Sequence, residues 1–371
     1  MRCELLDIPA ATPGTRRSLT VQRFGTPGAR PRVHLQASLH ADEVPAMLVA
    51  DKLRRILAAW EAQGRLVGEI VLVPVANPIG LAQSVLSAPV GRFDLGDGRN
   101  FNRDFPALSD ALAERAAGRL TGDADANLAA VRAALGEALA GCVPQTPVEQ
   151  LKHRLLDLAL PADVVLDLHS DAEAVVHLYT LPDSAAVFAP LQRLLGAAAV
   201  LLAEESGGDP FDEALSRPWL ALRRRWPDRP IPFGCHAATV ELRGQADVAH
   251  GLAEADAAAI AGFLVHLGAA AGDPPALPDP LCAPTPLEAV EPLVAPAAGV
   301  LVFHCAVGDR LEAGDRVADI VDPLDGSTVA VRSGSAGLLY ARVATRFATP
   351  GLRIAKVAGT ALRRSGPLLG A

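Results

Sequence analysis

The chain has 371 residues, half of them apolar, 20% charged and with a net charge of −8. That length exceeds an ordinary single domain, so one large unit with a smaller one is expected, and the acidic balance argues against a nucleic-acid partner. Five scattered cysteines (Cys3, Cys142, Cys235, Cys282, Cys305) form no CxxC pair, so the sequence encodes neither a disulfide framework nor a thiolate metal site.

The amino end, MRCELLDIPAATPGTRRSL, lacks the continuous apolar stretch of a signal peptide, and a cytoplasmic protein is expected. Residues 33–38 then read as a strand, 43–61 as a helix and 69–75 as a second strand, broken by Asn77-Pro78. A glycine-rich loop spans residues 91–106. Residues 107–160 are helical, with a break from Pro144 to Pro147, and look like an insertion. The run 164–168 is apolar but for Asp167 and suits a buried strand. Strands are also expected over 175–180, 198–203 and 238–242, before an amphipathic helix over 252–267. The most hydrophobic run, 257–272, carries His266 and is shorter than the ~20 residues of a membrane span, so no membrane partner is expected. This alternation predicts an α/β layer architecture over residues 1–270. Six prolines between Gly272 and Pro286 mark a linker at 271–286. Beyond it, glycine-punctuated short strands from 290 to 357 predict an all-β unit within 287–371.

Four segments carry chemistry. In VHLQASLHADE, His40 and Glu43 lie three apart after a strand, so an imidazole and a carboxylate share one face of the helix start. In VVLDLHSD, His169 ends another apolar strand, at the edge where α/β sheets gather their sites. His40, Glu43 and His169 would complete the three-ligand set of a catalytic zinc, one ion per chain, with a fourth position for water. In ATVELRGQ, Glu241 is an ionisable group in an apolar strand. It would move a proton between the activated water and the leaving amine, or pair with Arg243. In GRFDLGDGRNFNRDFP, Arg103 can fork onto a carboxylate with Asn102 beside it, while another guanidinium can stabilise an oxyanion. Asp171, Glu173 and His177, just after His169, read as solvated surface or as partners for a cationic substrate tail.

The order of these elements resembles the succinylglutamate desuccinylase and aspartoacylase family, relatives of the zinc carboxypeptidases. The resemblance runs over about residues 33–267 and rests on HxxE, Asn77-Pro78, Asn102-Arg103, Asp-Leu-His169 and Thr-Val-Glu241. It implies a zinc-carboxypeptidase-like mixed sheet flanked by helices, zinc on His40, Glu43 and His169, and Glu241 as base and acid. It also implies that Asn102 and Arg103 hold a substrate carboxylate. Arg92 best matches the family's carbonyl-polarising arginine, with Arg99 as its rival. The implied reaction is deacylation of a small N-acylated amino acid. A short-peptide carboxypeptidase or a non-catalytic binder of an amino-acid derivative are the alternatives, and a homo-oligomer is compatible with either. The carboxyl-terminal unit resembles a biotinyl/lipoyl-type β-barrel, but its carrier hairpin reads Asp322-Pro323-Leu324-Asp325-Gly326. Its sole lysine, Lys356, lies in the last strand, so carrier function is not expected. Tyr340 is expected in the core, with a reach to the substrate as the alternative.

Overall fold

The computed structural model describes residues 1–371 except Ala11, Leu362, Arg363, Pro367, Leu369, Gly370 and Ala371. Among the described residues, nine strands form one mixed sheet. From one edge its order is Arg2–Ile8, Arg17–Phe24, Ile70–Val73, Val33–Ala37, Val164–Asp171, His236–Gly244, His177–Thr180, Ala199–Leu202 and Thr285–Pro286. The four strands from Ile70–Val73 to His236–Gly244 run parallel, so their carboxyl ends open on the same side of the molecule. Val33–Ala37 and Val164–Asp171 are buried along almost their whole length, as expected for central parallel strands covered on both faces.

Side chains along a strand alternate between the two faces. Leu35, Leu166, Leu168 and Val240 meet the helices Pro45–Ala62, Ala185–Leu195 and His250–His266 on one face. Val71, Val165 and Ala237 meet Ser109–Ala116, Ala124–Ala140, Pro147–Ala159 and Phe211–Arg225 on the other. The helical segment expected as an insertion packs into the core. Leu112, Val131, Leu135, Leu151 and Leu155 are fully buried and close one whole face of the sheet. Capping explains where these helices begin. Asp123 accepts from Ala126 N, and Thr146 with Glu149 forms a reciprocal capping box ahead of Pro147.

The expected strands sit close to their observed ranges, with the last lengthened to His236–Gly244. Two edge strands near the amino end and two helices, Ala185–Leu195 and Phe211–Arg225, had no counterpart in the sequence reading. Both helices carry an internal proline, Pro190 and Pro218, which blunts the helical signal. The proline-rich stretch also differs from expectation at its end. Thr285–Pro286 pairs in parallel with Ala199–Leu202 and extends the main sheet.

Beyond Pro286 the pairing is antiparallel throughout. One sheet carries Thr328–Arg332, Arg316–Val321, Gly299–Phe303 and Phe347–Ala348. The facing sheet carries Val290–Val294, Arg353–Gly359, Gly337–Arg342 and Arg310–Leu311. Leu293, Leu301, Val317, Ile320, Leu339 and Ile354 fill the space between them. A two-residue strand, Glu173–Ala174, leaves the main sheet just after His169 and pairs with Gly337–Arg342. This joint fixes the β module over the carboxyl ends of the central strands.

Candidate active site

The same two-residue alternation that builds the two cores places a polar row on one face of the sheet. His34 and Gln36 share that face with Asp167, His169, Thr239 and Glu241, because Val165 and Ala237, in phase with them, pack into the core on that side. Burial of such groups is tolerable only when they are partnered, and the row forms a chain. His34 Nε2 contacts Gln36 Oε1 at 3.2 Å, Gln36 Nε2 donates to Asp167 Oδ1 at 2.9 Å, and Asp167 Oδ2 meets His169 Nε2 at 2.8 Å.

His40 reaches the same point from the turn after Val33–Ala37. Asn77, buried at the break expected from Asn77-Pro78, donates to Leu39 O at 2.9 Å and accepts from Gly80 N at 2.7 Å, which ties the His40 turn to the next segment. Ala41 N donates to Gly91 O at 3.0 Å. The approach is so close that a Cβ on Gly91 would lie 2.6 Å from Asp42 N, so only glycine fits there. This contact delivers Arg92 to the site.

His40, Glu43 and His169 converge with one donor atom each, all within 4.8 Å of one another. Glu43 Oε1 lies 2.9 Å from His40 Nδ1, and Glu43 Oε2 lies 2.8 Å from His169 Nδ1. The far nitrogens are engaged elsewhere, His169 Nε2 by Asp167 and His40 Nε2 by Asn100 Oδ1 at 2.8 Å. Both rings are thus held with Nδ1 facing inward, and an outer partner that fixes ring orientation is the arrangement of metal-binding histidines. Two imidazole nitrogens and a carboxylate, buried and preoriented, match the donor chemistry of zinc. Burial by itself would raise the Glu43 carboxyl, but the two imidazoles outweigh it and hold that carboxyl below the usual carboxylate range. For His169, burial opposes the cation, and Asp167 and Glu43 overcome that and raise its pKa.

Glu241 is the direct cross-strand neighbour of His169. Its Oε2 is buried and accepts no hydrogen bond among the described residues. Burial, with Glu43 and Asp171 adding like charge, pushes its carboxyl up to about 8. The expected alternative partner is otherwise engaged, since the Arg243 guanidinium is bonded to Asp256. The two candidate arginines also separate. Arg92 Nη1 is 3.1 Å from Glu43 Oε1 and 3.2 Å from His40 Nδ1, whereas Arg99 is an exposed side chain paired with Glu149.

A cavity of about 450 Å³ opens over these groups, and Asn102, Arg103, Tyr179, Glu241, Tyr340 and Lys356 lie in its wall. Asn102 is buried, its Oδ1 accepting from Phe211 N at 2.9 Å and its Nδ2 3.5 Å from His169 Nε2. The carboxyl-terminal module closes the far side. Tyr340 belongs to the core, as expected, and still lines the cavity, its hydroxyl 3.4 Å from that of Tyr179. Lys356, unassigned by the sequence reading, donates to Asp171 Oδ2 at 2.5 Å. Nor are Glu173 and His177 solvated surface. Glu173 is paired with Arg342 and Arg346 of the β module, and His177 is fully buried.

Asp167, Asn100, Lys356 and the acidic pair Asp212 and Glu213 were missed from sequence, while Asp171, read there as surface or as a partner for a cationic substrate tail, is instead paired with Lys356. Asp167 was legible in principle, as a charged residue inside the apolar strand VVLDLH two positions before His169 and so on the same face. For Lys356 no local signal existed, because it comes from a distant β-strand.

A model of the succinylglutamate desuccinylase/aspartoacylase catalytic domain matches residues 29–267. Among solved structures, a succinylglutamate desuccinylase/aspartoacylase family protein of Shewanella amazonensis is 28% identical, with a TM-score of 0.84 over 96% of this chain and 98% of its own. A second, from Shewanella frigidimarina, is 25% identical with a TM-score of 0.83, over 96% of this chain and 97% of its own. The ectoine utilization protein EutE (DoeB) of Ruegeria pomeroyi shares the fold at 19% identity, with a TM-score of 0.67 over 97% and 95% of the two chains. No curated protein matches the chain.

Proposed function

The chain belongs to the succinylglutamate desuccinylase/aspartoacylase family, a family of deacylase-like hydrolases, and on that premise we propose that it hydrolyses the amide bond of a small N-acylated amino acid with one zinc ion. The observation that carries the reading is the convergence of His40, Glu43 and His169 beside Glu241, whose Oε2 is buried and accepts no hydrogen bond among the described residues. His40, Glu43 and His169 hold the metal. When bound, zinc supplies Lewis acidity: it lowers the pKa of a water, polarises the scissile carbonyl, and its charge favours the Glu241 carboxylate over the acid.

Asn102 and Arg103 hold the substrate's carboxylate, the arginine by its planar fork of donors. Glu241 Oε2 accepts the proton of the attacking water and returns it to the departing amine nitrogen, one residue serving as base and then acid. Arg92, whose guanidinium already lies at Glu43 and His40, faces the oxygen on which negative charge develops. Tyr340, Lys356 and the β module exclude bulk water from the far wall, which strengthens each of these interactions. We further read residues 1–270 as the hydrolase unit and 287–371 as a module that narrows the cavity, which favours small substrates over peptides.

The reading is tested by metal analysis of the purified protein together with assays against N-acetyl and N-succinyl amino acids and short peptides. Stoichiometric zinc and amide hydrolysis of acylated amino acids are expected. Absence of stoichiometric metal, or cleavage of peptides without deacylation, rejects it.

A further inference from the structure

The cavity wall beside Asn102 and Arg103 carries two carboxylates that the reaction above leaves unused. Asp212 and Glu213, 6% and 4% exposed, open the Phe211–Arg225 helix and line the cavity. They are tied to the substrate-carboxylate groups by the chain itself. Phe211 N donates to Asn102 Oδ1, while Asp104 N donates to Gly208 O at 2.8 Å and Phe105 N to Asp209 O at 3.1 Å. The acidic pair is therefore held beside Asn102 and Arg103.

Burying two adjacent carboxylates is costly, and the partners on hand do not offset it. Asp212 is hydrogen-bonded by Thr239 and by the Glu213 backbone, but has no salt bridge to a cation among the described residues. Glu213 Oε1 accepts from Ser206 N at 2.7 Å, but Oε2 is buried and accepts no hydrogen bond. Arg217 stands off at 3.8 Å and is closer to Asp209 and Glu205, at 2.7 and 3.1 Å. The Ser206 hydroxyl lines the same cavity, 3% exposed, and beyond the Glu213 carboxyl beside it has no partner among the described residues. The helix amino terminus makes anions tolerable there, but it does not explain why they and this hydroxyl point into a substrate cavity. Burial pushes the Asp212 carboxyl up to about 6, and burial with the Asp212 charge pushes Glu213 up to about 7.

Arg103, in the same cavity wall, interacts electrostatically with both acids. A substrate carboxylate on Arg103 neutralises that cation and leaves the acids uncompensated. A positive group on the same substrate restores the balance. We propose that Asp212 and Glu213, with Ser206, form a subsite for a protonated nitrogen, so that the preferred substrate carries a cationic group as well as a carboxylate. This specificity rests on the deacylase reading above.

The test compares kcat/KM of the zinc-loaded protein for Nα-acetyl-L-ornithine, Nα-acetyl-L-norvaline and N-acetyl-L-glutamate, with a dipeptide bearing a free terminal amine as a fourth arm. Calorimetric binding of L-ornithine, L-norvaline and L-glutamate provides a readout independent of turnover. A preference of at least about tenfold for the cationic member is expected in both, as for a charge-assisted buried contact. Glu213→Gln and Asp212→Asn should each erase most of that preference while hydrolysis of the norvaline derivative stays within a few-fold. Ser206→Ala, which leaves both charges in place, should reduce it less, and it supplies a readout if an acid variant fails to fold. Preference for the dipeptide over the acetylated amino acids places the nitrogen at a terminal amine and rejects the deacylase reading while keeping the subsite. Equal or better use of the glutamate derivative, or a cationic preference that survives both acid substitutions, overturns the proposal. If no acylated substrate is turned over, the deacylase reading fails, and the ornithine–norvaline binding difference still decides the subsite.

Discussion

The Lys356 ammonium, carried by the last β-strand, donates at 2.5 Å to the Asp171 carboxylate, two residues beyond His169. The contact joins the β module to the strand that carries a candidate metal ligand, and it lies in the cavity wall near Glu241. Its loss leaves a largely buried carboxylate beside Glu241 without a counter-charge. Lys356→Met is expected to destabilise the protein by roughly 2–3 kcal/mol, less than a fully buried pair because the two side chains are 32% and 20% exposed. Urea denaturation of the variant against wild type measures this, and an unchanged midpoint would show the contact to be incidental.

Glu241→Gln keeps the shape of the side chain but removes its capacity to accept a proton. Zinc content should be unchanged and kcat lowered by about two to four decades, the range for removal of a general base. His169→Ala should lose the metal itself. Metal analysis alongside turnover separates the two, and a Glu241→Gln variant with wild-type kcat would remove Glu241 from the mechanism.

Asp167 contacts no substrate, yet it holds His169 Nε2 at 2.8 Å and Gln36 Nε2 at 2.9 Å. Asp167→Asn should weaken metal affinity by about 10–100-fold, as for other carboxylates behind a ligating histidine. Competition against a chelator of known affinity gives the number, and retention of wild-type affinity would make the His34–Gln36–Asp167 chain purely structural.

His177 is buried neutral, its Nδ1–H donating to Val175 O at 2.8 Å. Burial lowers its pKa to about 4, and the charges of Asp171 and Lys356 act on it in opposite directions. Folded His177 therefore stays neutral where unfolded His177 takes up a proton. Its contribution to stability is complete above pH ~6.5 and is lost as pH falls toward 4, amounting to roughly 3 kcal/mol. The melting temperature should fall across that window, and His177→Phe should flatten part of the fall. An identical pH profile for the variant would assign the acid sensitivity to other groups, His34 first, since burial lowers its pKa to about 4 as well.

Leu135, on the Ala124–Ala140 helix, is fully buried in the core that covers one face of the sheet. Leu135→Ala should cost about 2–5 kcal/mol. A shift below ~1 kcal/mol in chemical denaturation would show this helix to add little to the core.

Local pattern alone sufficed for part of this molecule. The short β-prone runs that became Val33–Ala37 and Val164–Asp171 mark themselves as strands, and a histidine or glutamate at their ends must then lie at the sheet's carboxyl edge. His40, Glu43, His169 and Glu241 were accessible in this way because each sits within a few residues of a strong strand signal. The alternation of a strand's side chains also made Asp167 readable beside His169. The choice of Arg92 over Arg99, the pairing of Arg243 with Asp256 and the burial of His177 depend on which loops and helices pack against one another, and sequence spacing carries no such information. Lys356 meets Asp171 across 185 positions of chain, and Asp212 and Glu213 become cavity groups only because residues 206–212 fold back onto Asn102 and Arg103. A strand or a ligand pair is specified by neighbours in sequence, whereas the cavity, its charge balance and its far wall arise from long-range packing.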